Sequence, residues 1–182
     1  MPLFQYGEVP YGIRDIKLTP INADGSYGTM VDLPAAQTMS FTLEQDEQVL
    51  RGDDADQVVS NQVKGISWSL NAGGLDFDAL AVILGVNPVD SGTTPNRTQI
   101  LAVKATDTRP WFRVDGRAIS ADGGGDLKVI LYKCKCSGNV GPFEMKDGEF
   151  MITQIEGKGV DDGVHGIFAL DQEETAAEIA QP

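Results

Sequence analysis

Gly65-Ile66-Ser67-Trp68-Ser69-Leu70 alternates apolar and small polar residues, so that Ile66, Trp68 and Leu70 share one face and Ser67 and Ser69 the other. A period of two marks a strand with one buried and one solvated side. The pattern repeats outward from this stretch. Met39, Phe41 and Leu43 share a face before it. Beyond it, Leu127, Val129 and Leu131 oppose Ile130, Tyr132, Cys134 and Cys136, and Phe150 and Ile152 oppose Met151, Thr153 and Ile155. Val164, Gly166, Phe168 and Leu170 alternate with His165, Ile167 and Ala169. Shorter strand candidates are 14–18, 99–104 and 111–117.

Only one internal segment reads as a helix. Asp76 stands as N-cap, Phe77, Leu80, Ala81 and Leu84 follow at helical spacing, and Gly85 and Pro88 end it. One helix among about eight strands predicts a mainly β fold, a β-sandwich or barrel with one flanking α-helix. At 182 residues and 41% apolar composition the chain can bury a core unaided, and a single domain over 1–182 is expected.

Three segments read as connections or tails. Residues 44–62, mostly polar, predict a long acidic loop, a length that is usually functional or disordered. Residues 87–96 read as a surface connection, and Gly123-Gly124-Gly125 as a hairpin turn. The acidic tail 171–182 reads as a marginal helix or a loose end.

Charge is segregated along the chain within a net of −13. Residues 1–64 hold ten acids and four bases, 65–96 three acids and no base, 97–135 eight bases and four acids, and 136–182 ten acids and two bases. Such separation suits copies that stack head to tail, provided the fold does not remix the charges. The overall acidity argues against phosphate gripping, which needs a basic footprint.

The chemistry-bearing motifs are sparse. His165, the sole histidine, sits in an alternating stretch and reads as an ordinary strand residue, so serine–histidine catalysis has no base to use. Asp53-Asp54 and Asp161-Asp162 read as solvated loop acids. Asp122-Gly123-Gly124-Gly125-Asp126 and Asn22-Ala23-Asp24-Gly25 have the flavour of calcium loops but lack the spaced ligands and closing glutamate. Cys134 and Cys136, two apart on a strand, are poorly placed to bond to each other and read as reduced. No phosphate loop is present, and neither metal nor cofactor is expected. The chain is expected to be non-enzymatic. No stretch reaches the length of a membrane span and the start lacks a signal-peptide pattern, so a soluble protein made in a cytoplasm is expected.

One stretch carries a family resemblance. Val31-Asp32-Leu33-Pro34-Ala35-Ala36-Gln37-Thr38-Met39-Ser40-Phe41-Thr42-Leu43, then Leu50-Arg51-Gly52-Asp53-Asp54, then Gly65 to Leu70 and the helix after Asp76, resembles the major tail tube proteins of siphophages. The resemblance covers roughly residues 8–85. It implies a structural virion protein of the phage tail, synthesised in the bacterial host cytoplasm, whose subunits close hexameric rings. The rings stack into a tube around a tape-measure protein, bounded by tail-tip and terminator proteins. DNA passes through without specific binding, and no membrane is involved. On this reading Glu44, Asp46, Glu47, Asp53, Asp54 and Asp56 are candidates for contact with Arg97, Arg109, Arg113 and Arg117 of a neighbouring copy. Arg51, flanked by acids, is a further contact candidate that could stay within its own subunit. Two other readings compete: a β-sandwich adhesin or receptor-binding module, and a tail terminator or the tube protein of a tailocin or secretion apparatus.

Overall fold

The computed structural model describes residues 10–52, 55–74, 76–121, 125–175 and 177–182, with the backbone alone at 48–52 and 55–60. The fold is mainly β, with ten strands and one helix in the described residues. In chain order the strands are β1 (Pro10–Pro20), β2 (Val31–Asp32), β3 (Ala36–Gly52) and β4 (Ala55–Gly73). After helix α1 (Phe77–Leu84) come β5 (Val89–Ser91), β6 (Thr98–Ile100), β7 (Phe112–Ser120), β8 (Asp126–Val140), β9 (Ile152–Gly159) and β10 (Phe168–Glu173). All pairings are antiparallel, in the order β2-β1-β7-β8-β9-β4-β3, and β5 and β6 form a separate small hairpin.

The sheet divides at β8. Its first half pairs with β10 and its second half with β9, along the edge opposite β7. The β9-β4-β3 branch folds over the β1-β7-β8 layer, so the alternating inward residues of both layers meet. Trp68 of β4 stands edge-on to Phe112 of β7, with ring centroids 5.6 Å apart, and Phe41 of β3 meets Phe168 of β10 at 5.1 Å. Gly116 of β7 admits the sulfur of Met39, a space that a Cβ there would fill. Ile16, Leu18, Ile66, Leu70, Val114 and Ile155 complete a dry centre. This is the sandwich-like arrangement expected from period-two strands.

The helix forms where the pattern placed it. The Asp76 carboxylate accepts the Asp78 and Ala79 N–H groups, and Gly85 closes the helix at φ 73°, where a side chain would be strained. Ala79, Leu80 and Ile83 cover the end of the sandwich against Leu33, Ala72 and Ile155. No helix among the described residues is long and apolar enough to cross a membrane.

Several expectations need correction. Residues 44–62 are not a loop: β3 and β4 stay paired from Ala36↔Ala72 to Gly52↔Ala55, making one long hairpin. The polar composition misled because backbone pairing along a hairpin needs no apolar alternation. The connection 87–96 contains β5, and the candidate 99–104 shrinks to β6. The strand expected over 164–170 starts only at Phe168. His165 instead lies in a turn, where Asp162 accepts the N–H groups of Val164, His165 and Gly166 at 2.7–3.0 Å. The parity of β8 also changes. Phe112 pairs with Cys134 but Val114 with Leu131, so three residues of β8 span two of β7. That bulge brings Leu131, Cys134 and Cys136 into one core although the alternation put Leu131 opposite the cysteines. Both thiols are free and buried, and burial pushes them up from the ordinary thiol range. The triple-glycine turn lies mostly outside the described residues. The tail begins as the end of β10 and then lies against the body, with Ile179 buried.

Candidate functional site

The feature that separates this fold from a plain sandwich is the far half of the β3–β4 hairpin. β9 borders β4 only from Ile66 onward, so among the described residues 44–52 and 55–65 pair only with each other. Nine residues of strand extend ~30 Å at about 3.3 Å each. Gln45, Glu47 and 61–64 are exposed, as are Leu43 and Val63. The arm is ordered by pairing along its own length. Lys64 meets Asp46 at 2.6 Å, Asn61 donates to Gln45 at 2.9 Å, and at the base Lys158 of β9 holds Glu44 at 2.9 Å. The hydrogen bond from Lys158 keeps the Glu44 carboxyl below its ordinary range.

The sequence candidates distribute unevenly. Glu44, Asp46 and Glu47 stand together along the arm, Glu47 with no ion-pair partner among the described residues. Asp53 and Asp54 lie outside the described residues, while Arg51 and Asp56 are register partners near the tip. Arg97 lies on the β5–β6 side, 65% exposed and 2.7 Å from Asp90. Arg113 and Arg117 sit within the subunit's own fold. Arg113 forks onto Asp115 and lies over the rings of Tyr27 and Tyr132. Burial alone would lower its affinity for a proton, but Asp115 raises it further. Arg117 is 2.7 Å from the fully buried Asp126. Arg109, half-buried, acts on Cys136 through its charge.

Three features escaped the sequence reading. Among the described residues Lys64 and Lys158 are the cations that pair with the arm's acids. The outer face of β3-β4-β9 forms a shallow hydroxyl-lined groove of Ser40, Thr42, Ser67 and Ser69 beside Glu156 and Lys158. The connection between β8 and β9 exposes Phe143, Met145 and Phe150, the last at 95%. The alternation of 65–70 already implied the serine face. The arm had its own signal, Val49-Leu50 and Val58-Val59 placed about Gly52-Asp53-Asp54 as strands about a turn. Among the described residues no group of three or more His, Cys, Asp or Glu side chains converges as a metal site.

No family model matches the chain, and no curated protein matches it. Among solved structures, the chain is similar to one in the sixfold-symmetrised cryo-EM structure of the anti-feeding prophage baseplate, at 11% identity and a TM-score of 0.38. The match covers 92% of this chain and 94% of that one.

Proposed function

We propose that the chain is a non-catalytic structural subunit that assembles with copies of itself into stacked rings, forming the tube of a phage-type tail. The observation that carries this reading is the β3–β4 arm, which runs past the rest of its sheet among the described residues. An ordered strand pair has a folding cost that a monomer does not recover from such an arm, so a neighbouring surface is the natural place for it. Among the described residues the outer edge of β3 is unpaired, and pairing such edges in a closed ring removes the aggregation hazard they carry. In this assembly the Ser40–Thr42–Ser67–Ser69 face lines the lumen. Neutral hydroxyls beside the mutually compensated Glu44 and Lys158 give passing DNA or a tape-measure protein little to grip. Tail-tip and terminator proteins bound the tube, and the subunit belongs to the virion. Glu44, Asp46 and Glu47 meet the next copy, with Arg97 the most accessible of the proposed basic partners.

Replacing residues 45–62 by Asn-Gly tests the reading. The shortened protein is expected to keep its melting temperature within a few degrees and to lose concentration-dependent association in sedimentation velocity. Association equal to that of the parent would refute a role for the arm.

The exposed Phe143, Met145 and Phe150 favour a second reading, an adhesin or receptor-binding module that uses the β8–β9 connection. It expects a monomer at all concentrations and loss of surface binding when Phe143 and Phe150 become serine.

A further inference from the structure

At the far end of the sheet from β3 lies β2, two residues long, preceded by residues 28–30. Here the C-terminal segment returns to the body. Gln181 Oε1 accepts the Met30 N–H at 2.9 Å, and Gln181 Nε2 donates to the Gly28 carbonyl at 2.7 Å. A primary carboxamide making both bonds to residues two apart reproduces what the N–H and C=O of one residue in a parallel neighbouring strand would do. The side chain therefore occupies the position of a missing strand. The segment is lightly held. Ile179 is buried while Ala177, Glu178, Ala180 and Gln181 are exposed, and the Ala177 N–H donates to Asp126 at 2.9 Å.

We propose that residues 177–182 are a releasable clasp that caps the β2 edge of the free subunit, and that an extended segment of a second copy takes this edge when the clasp lifts. The proposal rests on the self-assembly reading above and adds its control. Sheet edges bind extended segments through main-chain hydrogen bonds, and proteins that must not join prematurely keep such edges covered. A second copy is the fitting occupant because the same subunit carries, at the opposite end of the sheet, the long edge of β3, which is unpaired among the described residues. An edge at each end makes a head-to-tail contact, which closes into a ring when the rotation allows. One buried side chain and a few hydrogen bonds, those of Gln181 open to solvent, make the clasp easier to open than any core strand.

Gln181→Ala removes both capping bonds at an exposed position, and Ile179→Ser with it removes the anchor. Amide hydrogen exchange at Met30 and sedimentation velocity over a concentration series are measured for the parent and both variants, with near-UV circular dichroism as the check on folding. The expected result is Met30 exchange about tenfold faster in Gln181→Ala, the loss of one stabilising contact, together with faster association than the parent. Unchanged Met30 exchange overturns the clasp. Faster exchange without faster association, in a parent that does associate, overturns its controlling role and leaves self-assembly standing. No association by parent or variants at any concentration overturns both.

Discussion

Arg117 and Asp126 offer the sharpest test of how this fold holds its charges. Asp126 opens β8 with none of its surface exposed, and its Oδ2 lies 2.7 Å from Arg117 Nε, whose side chain is 12% exposed. The same oxygen accepts the Ala177 N–H at 2.9 Å. Asp126→Ala strands a nearly buried guanidinium without a counter-charge and leaves that N–H without its acceptor. Removing one partner of a buried ion pair costs about 3–5 kcal/mol. With a urea slope of about 2 kcal/mol per molar, the midpoint should fall by roughly 2 M. Removing both charges in Arg117→Met with Asp126→Leu should recover most of the loss, since a packed apolar pair is often neutral relative to a buried ion pair. Asp90→Asn is the control. Its partner Arg97 is 65% exposed, so the loss should be at most about 1 kcal/mol. Equilibrium urea unfolding followed by tryptophan fluorescence reads all three. A shift for Asp126→Ala no larger than for Asp90→Asn would refute the reasoning, as would a double variant as unstable as the single one.

Two further outcomes follow from local chemistry. Asp76→Ala should lower stability by about 0.5–2 kcal/mol, because two helix N–H groups lose their acceptor. A thermal melt unchanged within error would contradict the capping role. Desolvation pushes the Asp162 carboxyl up, but hydrogen bonds from the His165 ring and the N–H groups of 164–166 outweigh it and hold it well below the ordinary 3.8. A depressed carboxylate stabilises the folded state fully above its unfolded value and loses that contribution as pH falls toward the folded one. Asp162→Ala should therefore melt below the parent at pH 7, with the gap narrowing below about pH 4. A gap independent of pH would show that packing, not charge, carries the turn.

The readable parts of this fold are those where local and tertiary preferences coincide. β4 and β9 bury Ile66, Trp68 and Leu70 and Thr153 and Ile155 on the faces their alternation assigns. Asp76 and Gly85 bracket α1 because capping chemistry is local. The arm failed the same test, since its two strands pair through the backbone without a regular apolar period in either. The bulge in β8 is a tertiary event, one extra residue where the sheet divides, and no residue type at 132–133 announces it. The His165 turn was masked by the apolar residues around it, while its cause, the Asp162 carboxylate collecting three N–H groups, is a motif of two acids and a glycine that reads as generic loop. Charge segregation likewise pointed to all four arginines as intersubunit candidates. Packing commits Arg113 to Asp115, two residues further along β7, and Arg117 to Asp126 of the neighbouring β8, all within one subunit.

Negative-stain electron microscopy of the purified protein at high concentration and moderate salt, where screening relieves the self-repulsion of a −13 chain, tests self-assembly most directly. The proposed function predicts sixfold rings or hollow tubes of uniform bore. Single particles of monomer size under those conditions, persisting after addition of the cognate tail-tip complex, would contradict it.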